Sequence, residues 1–506
     1  MPNITSLQFF IPELVLSATA IVLLFCSFFQ RDQAPTHQRT SYIAIFGLLL
    51  SFFFTLKQWN FGSPPLFWGM LILDKPVVFF KVIFILTALI VIVFSQRSRE
   101  LLFDFPEFYA LLIGSVVGMN LLASSNNLLM IYLSLEFVSL MSYLLVGYVR
   151  GSVRSSEAAL KYVLYGAVAS GIFLYGASLY YGLNGTLDVK SFLTIAPSHY
   201  RTNALAGLFL LAGFLYKIAA VPMHAWCPDA YEGAPAPITA FLSVAPKAAG
   251  FAVLMRVFAS VGVQFNWPII IAVISAVTMT FGNLAAIPQT NVKRLLAYSS
   301  IAHAGYLLMG VASATPKGNE AVYFYFAAYL IMNLGAFLVV QIVSDGMSLR
   351  AHEAGVAIPS NQLSSQDCFA DARNDSVSEH IEAFTGLGRR GSYGTILGIA
   401  MTIFLLSLTG VPPFVGFIGK FYIFSAVIDA KLYWLAIVGI INSVISLYYY
   451  MRIVKTMFFD SPKETSPLTL SSMRLTTVLA TLAVATIVLG LAWQWLAEII
   501  SRLGGW

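Results

Sequence analysis

The sequence predicts an all-α polytopic membrane protein, and three observations support this fold class. Hydrophobic residues make up 58% of the chain and charged residues only 10%, which is more apolar surface than a soluble domain needs. The mean hydropathy of the chain is +0.80. The apolar residues form long runs, whereas a transmembrane β-barrel would show short alternating segments. We therefore expect helices that cross a lipid bilayer.

The apolar runs are sufficient for about fourteen transmembrane helices. The first run lacks a basic start and a clear cleavage site, so it is predicted to be a retained span rather than a signal peptide. The sequence SSNN divides the fourth run from the fifth, and Pro288 divides the ninth from the tenth. The twelfth run is too long for one straight helix and contains Pro412 and Pro413. The predicted limits are 9–29, 40–58, 76–95, 107–124, 127–148, 159–181, 204–224, 237–259, 268–287, 292–312, 320–343, 394–428, 433–455 and 475–498.

Loop charges predict the orientation of these spans. Loops after odd-numbered spans are rich in Lys and Arg, except the loop after the seventh, and loops after even-numbered spans are poorer. The odd-side loops should therefore be cytoplasmic, which places both termini on the opposite face. The basic residues of the odd-side loops are Arg31, Arg39, Arg97, Arg99, Arg150, Arg154, Lys293, Arg294, Arg389, Arg390, Arg452, Lys455 and Lys463, and those of the even-side loops are Lys75, Lys190, Arg201, Lys317 and Lys431.

The remaining composition indicates no cofactor, metal or nucleic-acid site. The basic loops account for the net charge of +6, so nucleic acid is not an expected partner. Cys26, Cys227 and Cys368 are far apart and match no metal or disulfide spacing. The sequence contains no nucleotide-binding loop, no flavin or dinucleotide fingerprint and no cysteine pattern for an iron–sulfur cluster.

One long polar segment interrupts the apolar pattern between residues 344 and 392. Part of it, SVSEHIEAFTGLG, is predicted either as an amphipathic helix on the membrane surface or as a capping or disordered loop. No function is assigned to this segment.

The stretch from Leu211 to Phe251 organises the functional interpretation. It contains Lys217 in an apolar run, Pro222 five residues later, and Lys247 in the next apolar run. A charge inside a membrane span costs about 2.5–3.5 kcal/mol on insertion scales and usually marks an ion or proton path. A proline that breaks a helix at membrane depth requires cover from protein or water, as in transporter binding sites. We expect a broken helix beside a buried lysine.

Grouping the spans in fives predicts an inverted repeat. Spans four to eight have a proline-broken fourth member with Lys217, and spans nine to thirteen have one with Lys420. Because five is odd, the second group enters the membrane from the opposite side. The predicted divisions are an N-terminal three-helix segment (1–106), the first repeat (107–259), the second repeat (260–456) and a C-terminal helix (457–506). The second repeat includes the polar loop 344–392.

Four buried charges are the main candidates for carrying protons: Glu136, Lys217, Lys247 and Lys420. For Glu136 the alternative is a purely structural bond between helices. Burial disfavours the charged form of either residue type, so a partner that moves can switch a lysine between holding and releasing its proton.

Three further residues are possible proton relays. Lys161 opens the sixth span and has the alternative of reaching to the membrane interface. His224 lies just past the break and either relays protons or caps the broken end. His303 lies mid-span among small residues, where a packing role is the alternative.

Long motifs resemble a known family. The stretch GFLYKIAAVPMHAWCPDAYEGAPAPITAFLSVAPKAAG resembles the core motif of the antiporter-like subunits of respiratory complex I and of related cation/proton antiporters. Other stretches are similar to the subunit N family of proton-translocating NADH:quinone oxidoreductase: RSSEAALKYVLYGAVASGIFLYGASLYYG, LLAYSSIAHAGYLLMG and FTGLGRRGSYGTILGIAMTIFLLSLTGVPPFVGFIGKFYIF. The similarity covers nearly the whole chain in order.

The resemblance implies fourteen helices, two inverted five-helix bundles and a central hydrophilic axis carrying Glu136, Lys217, Lys247 and Lys420, with Lys161 matching a further lysine. It implies no redox centre here, and flavin, iron–sulfur clusters and quinone are expected in partner subunits. The expected partners are other membrane subunits of complex I, including neighbouring antiporter-like ones, together with lipid, protons and water. Candidates for close approach to such neighbours are Gly166, Gly171 and Gly176.

Three functions compete on this evidence. The first is a proton-translocating subunit of the bacterial complex in the inner membrane, driven by redox chemistry elsewhere. The second is a subunit of a multisubunit sodium/proton antiporter. The third is a scaffold that moves no protons, against which the buried charges argue.

Overall fold

The computed structural model describes residues 3–29, 36–62, 64–96, 98, 101, 105–194, 200–261, 266–355, 379–461 and 473–504, which are mostly helical. A short hairpin pairs β1 (Pro65–Leu66) with β2 (Leu71–Ile72) in antiparallel register. In chain order the α-helices are α1 (Asn3–Gln8), α2 (Ile11–Phe29), α3 (Thr36–Lys57), α4 (Lys75–Ser95), α5 (Phe105–Ser124), α6 (Leu128–Val146), α7 (Val153–Asn184), α8 (Tyr200–Ile218), α9 (Trp226–Gly233), α10 (Ala236–Val261), α11 (Trp267–Ala286), α12 (Val292–Ala312), α13 (Pro316–Gly355), α14 (Gly391–Thr409), α15 (Val415–Asp429), α16 (Tyr433–Phe458), α17 (Met473–Leu491) and α18 (Trp493–Ser501).

The helices reproduce the predicted spans. Among the described residues, thirteen helices are long and apolar enough to cross a membrane. The seventh predicted span, 204–224, corresponds to α8 and the break that follows it, and α8 is the predicted span that is not among the thirteen. The twelfth predicted span corresponds to α14 and α15. The divisions at SSNN and near Pro288 are confirmed. Asn127 caps α6 by accepting the backbone N–H of Leu129 at 2.9 Å, and Asn291 caps α12 by accepting that of Arg294 at 3.1 Å.

The centre of the fold is formed by α10 and α12. The membrane-span stretches of these helices are 100% and 94% buried, whereas those of α2 and α17 are only 22% and 33% buried. The two central helices carry Lys247 and His303. A charged group at the centre of a bundle has no route to the headgroups and must find partners inside the protein.

Both predicted breaks are confirmed. The chain leaves α8 after Ile218 and resumes a helix at Trp226, and it leaves α14 after Thr409 and resumes at Val415. The predicted breaks near Pro222 and near Pro412 and Pro413 lie inside these intervals. The inverted relation of the two halves and the domain limits stay predictions.

The first half of each broken helix ends in the same backbone conformation. The residue after the helix has a left-handed conformation, with φ of 57° at Ala219 and 88° at Gly410. The next N–H group, of Ala220 or Val411, then bonds the carbonyl oxygen five residues earlier, at 2.8 and 3.1 Å. This Schellman arrangement satisfies end carbonyls that lipid cannot.

The polar segment starts later than predicted. The helix α13 continues to Gly355, so residues 344–355 are helical rather than loop. The described part of SVSEHIEAFTGLG contains two short 3-10 helices, Ile381–Phe384 and Leu387–Arg389, and the predicted amphipathic α-helix is wrong there. The reason is tertiary pairing, because His380 forms a β-bridge with Asn291. The remainder, with Cys368, lies outside the described residues.

Two of the three glycines proposed for subunit contacts pack inside the chain. A Cβ on Gly166 would collide with the Tyr143 hydroxyl, and one on Gly176 would lie 2.8 Å from the carbonyl oxygen of Ala206. These glycines allow α7 to approach α6 and α8, so the prediction is wrong for both. Gly171 has open space around it.

Candidate proton-transfer site

Lys217 and Glu136 lie close together but form no direct ion pair. Lys217 occupies the last turn of α8, is 1% exposed, and donates from Nζ to Oγ of Ser139 at 3.2 Å. Ser139 follows Glu136 by less than one turn on α6. Glu136 is half-buried and accepts a hydrogen bond from Ser170 of α7. The first break therefore lies beside the helix that carries the carboxylate.

Backbone groups at the first break form hydrogen bonds with neighbouring side chains in place of helical partners. The Thr278 hydroxyl on α11 accepts the N–H of Val221 at 3.1 Å. The indole of Trp226, the first residue of α9, donates to the carbonyl oxygen of Tyr216 at 3.0 Å. These bonds provide the cover that an interrupted helix requires at membrane depth.

Lys247 faces the central helix α12. It is 2% exposed, and its Nζ donates to Oγ of Ser300 at 2.7 Å. The ring of Tyr231 lies 5.7 Å from the same ammonium group. A Cβ on Gly250, one turn along α10, would lie 3.3 Å from Cγ of Lys217, so the two lysines belong to helices in close contact.

Hydroxyl groups surround His303 on α12. Its Nδ1 lies 2.6 Å from the hydroxyl of Tyr325, and its Nε2 lies 3.3 Å from the hydroxyl of Tyr450. Tyr450 also bonds Ser299, one turn earlier on α12. Both ring nitrogens therefore have hydroxyl partners, and such partners exchange donor and acceptor roles with the tautomer of the ring.

Lys420 lies further along α12 than Lys247. It is 4% exposed and donates to the carbonyl oxygen of Thr409 at 2.7 Å and to Oγ of Ser443 at 3.0 Å. Ser443 bonds the hydroxyl of Tyr306 at 3.3 Å, and the Tyr306 ring lies 4.4 Å from the ammonium group of Lys420. Because Tyr306 follows His303 by three residues, polar contacts continue along α12 from Lys247 to Lys420, and we call them the polar row.

The structure places the other two candidates outside this row. His224 packs edge-on against Phe281, with ring centroids 4.4 Å apart. Lys161 is 41% exposed and pairs with Glu157 at 2.8 Å and with Asp229 at 3.1 Å. Lys161 belongs to a group of ion pairs around α9.

Several buried ion pairs were missed from the sequence. Lys81 pairs with Glu13 at 2.7 Å, and Arg256 of α10 pairs with Asp74 at 2.8 Å. Lys81 and Arg256 are lone charges in apolar runs, so the cost of inserting a charge would have indicated them. Other missed pairs connect Glu379 with Lys293 and Arg154. Glu379 belongs to the polar segment, where no sequence signal distinguishes it from its neighbours.

Comparison with known proteins decides the family. Residues 125–446 match the family model described as NADH:quinone oxidoreductase/Mrp antiporter, TM. The chain is 40% identical to NADH-quinone oxidoreductase subunit N 2 of Sorangium cellulosum, over 99% of this chain and 98% of that protein. The chain belongs to the NADH-quinone oxidoreductase subunit N family. Another subunit N, from Heliobacterium modesticaldum, is 39% identical, with 97% of each chain covered. The resemblance recognised in the motifs is confirmed.

Solved structures show how widely the subunit N fold is shared. A chain of respiratory complex I from Thermus thermophilus matches with a TM-score of 0.77 and 31% identity, over 98% of this chain and 100% of that one. A chain of the Mrp complex from Dietzia sp. matches with a TM-score of 0.79 but only 20% identity, over 99% and 97% of the two chains. The second likeness shows the fold alone. The predicted all-α, multi-pass membrane architecture is confirmed.

Proposed function

We propose that this chain is a proton-translocating subunit in the membrane arm of a bacterial NADH:quinone oxidoreductase, respiratory complex I. Membership of the subunit N family supports this function. The observation that carries it is the polar row along α12, where Ser300 bonds Lys247, His303 contacts two hydroxyls, and Tyr306 lies against Lys420. Exchangeable protons and lone pairs in such a row are what proton transfer through a membrane requires.

The proposed path begins at Glu136 and Lys217. When the carboxylate approaches, it favours protonated Lys217, and when it moves away the lysine releases its proton. The proton then passes by way of water, Lys247 or His303 to Lys420, and leaves on the non-cytoplasmic side. Glu136 and the lysines act as the proton carriers, and no bond other than those to protons is made or broken.

The redox chemistry belongs to other subunits in this proposal. Flavin, iron–sulfur clusters and quinone lie in partners, and their reactions drive this chain through conformational or electrostatic coupling. The isolated chain is therefore not expected to oxidise NADH. Its neighbours are other membrane subunits, including antiporter-like ones, in the bacterial inner membrane, with both termini on the non-cytoplasmic face.

The alternative is a subunit of a sodium/proton antiporter. The chain of the Mrp complex has the same fold, with a TM-score of 0.79, so the fold does not separate the two functions. The sequence identity favours the first function, at 31% against the chain of complex I and 20% against the Mrp chain. A test of the function must therefore measure sodium dependence as well as proton movement.

The deciding experiment measures proton pumping per NADH oxidised in vesicles that contain the assembled complex. Lys217→Ala and Glu136→Gln should each lower this ratio by about tenfold or more while the complex still assembles, because a positioned proton carrier is lost. The ratio in the unmodified complex should not change when sodium is removed. Normal pumping in both variants would show that the path lies elsewhere.

Matched controls separate these losses from a general effect of changing charge. Lys455→Ala removes an exposed lysine, and Glu498→Gln removes a carboxylate that is 64% exposed. Both should pump as the unmodified complex does. A requirement for sodium in the unmodified complex would instead support the antiporter.

A further inference from the structure

Eight charged side chains form a network of ion pairs on and around α9, the second half of the first broken helix. We call this group the α9 charge network. It is balanced, with four acidic and four basic members. The helix itself contributes Asp229 and Glu232, and each of them pairs with Arg294, at 2.7 and 2.6 Å. Its members are Arg154, Glu157, Lys161, Asp229, Glu232, Lys293, Arg294 and Glu379.

Glu379 is the buried acid of this network. It is 3% exposed and forms ion pairs with Lys293 and, at 3.4 Å, with Arg154. The side-chain amide of Asn291 donates to it at 3.1 Å, and its backbone carbonyl accepts the N–H of Val292 at 2.8 Å. A residue from the end of the long polar segment is thereby fixed at the start of α12.

Two cations connect Glu379 to α9. Lys293 donates to the carbonyl oxygen of Ala234, the residue after α9, at 2.8 Å. Arg154 donates to Glu232 of α9 at 2.7 Å. Glu379 therefore neutralises one cation at the carboxyl end of α9 and contacts another that holds its last turn. If Glu379 is removed, Lys293 and Arg154 each lose an ion pair that holds the side chain in place.

The other contacts of α9 lie beside Lys217 and Lys247. Trp226 bonds the carbonyl of Tyr216, the residue before Lys217, at 3.0 Å. Cys227 lies 3.9 Å from the hydroxyl of Ser300, which accepts from Lys247, and Tyr231 lies beneath the ammonium group of Lys247. A displacement of α9 thus changes the surroundings of both lysines at once. A small displacement of a positioned group can lower the rate of proton transfer strongly.

We infer that Glu379 is a positioning residue for proton transfer between Lys217 and Lys247, acting through Lys293, Arg154 and the placement of α9. This inference rests on the proposed function, because it assigns Glu379 a part in the same path. Glu379 does not touch the lysines that carry the proton. Its removal should slow transfer without abolishing it.

The test compares two variants that remove the charge of Glu379 with one that keeps it, all in the assembled complex. Glu379→Gln keeps the shape but removes a carboxylate that pairs with the buried Lys293, which can impair folding. The double variant Glu379→Gln/Lys293→Met removes both charges, and replacing a buried ion pair by apolar groups is often tolerated. Each should lower the protons pumped per NADH by about two- to thirtyfold. Glu379→Asp, which keeps the charge, should recover most of the ratio.

The outcomes separate this inference from the proposed function. Glu498→Gln is the matched control for loss of a carboxylate, and Lys217→Ala is measured in the same vesicles. Poor pumping in Lys217→Ala with a normal ratio in an assembled Glu379 variant would overturn only the positioning role. Normal pumping in Lys217→Ala would overturn the proposed function. Failure of both variants that remove the charge of Glu379 to assemble would also overturn the inference, because Glu379 would then be purely structural.

Discussion

Each broken helix places a lysine at its break, but one lysine precedes its break in the chain and the other follows it. In the first, Lys217 belongs to the last turn of α8, before the break. In the second, Lys420 belongs to α15, after the break, and reaches back to the carbonyl oxygen of Thr409, the last residue of α14, at 2.7 Å. Both lysines therefore lie at the carboxyl end of a first half-helix, where the helix dipole favours a positive charge.

The surroundings of the two lysines differ in a way that bears on proton transfer. Lys217 donates to Ser139 on the helix that carries Glu136, so a carboxylate lies close to it. Lys420 donates to a backbone carbonyl and a hydroxyl and, among the described residues, forms no ion pair. A carboxylate can move or change its charge, whereas a helix end is a fixed dipole. We therefore expect Lys217 to be the switched site and Lys420 the receiving site.

The largest expected effect comes from replacing each lysine by arginine. Lys217→Arg and Lys420→Arg keep the positive charge at the helix end, but arginine does not release its proton. Both variants should assemble, and each should lower the protons pumped per NADH by about tenfold or more. Normal pumping in Lys420→Arg alone would contradict the proposal that Lys420 receives the proton, because Lys420 would then act only as a fixed charge.

The next effect concerns the hydroxyl that each lysine contacts. Ser139→Ala removes the hydrogen bond that the structure gives Lys217, whereas after Ser443→Ala Lys420 keeps the carbonyl of Thr409. Bonds to charged groups contribute about 1.5–3 kcal/mol, so Ser139→Ala should lower pumping by about tenfold and Ser443→Ala by less. Initial pumping rates in vesicles measure both, and equal losses would contradict the proposed difference.

A smaller effect is expected at the second cap. Gly410→Ala introduces a side chain at φ 88°, and its Cβ would lie 2.8 Å from Cδ of Lys420. The left-handed conformation costs a non-glycine residue about 1–2 kcal/mol, and Lys420 must also shift. The variant should lose activity at a lower temperature and pump less than the unmodified complex. Thermal inactivation and pumping, measured on the same vesicles, check both expectations.

The smallest effect is expected at the first cap, where an alanine already adopts the left-handed conformation. Ala219→Gly relieves the cost of φ 57° but makes the unfolded chain more flexible. These contributions oppose each other, so the free energy of unfolding should change by less than about 1 kcal/mol. Pumping should stay unchanged. A loss as large as that of Gly410→Ala would mean that the methyl group of Ala219 packs against the path.

Local sequence features predicted most of the membrane architecture. The number of spans follows from apolar length, because lipid offers no partner for backbone groups outside a helix or barrel. The breaks follow from Pro222, Pro412 and Pro413, because proline removes a backbone donor. The predictions around the polar segment were less accurate, because α13 extends to Gly355 and the described end of the segment forms 3-10 turns held by pairing with another loop.

By itself, the sequence determined which apolar runs carry a lone charge, and such a charge is costly wherever the run is placed in the membrane. This reasoning identified Glu136, Lys217, Lys247 and Lys420. Only the tertiary structure decided what each charge contacts, because the partners come from elements far apart in the chain. The serine that accepts from Lys217 lies 78 residues away in the sequence, and the serine that accepts from Lys247 lies 53 residues away. The ion pair between Glu379 and Lys293 likewise joins the polar segment to α12, and no local pattern specifies that contact.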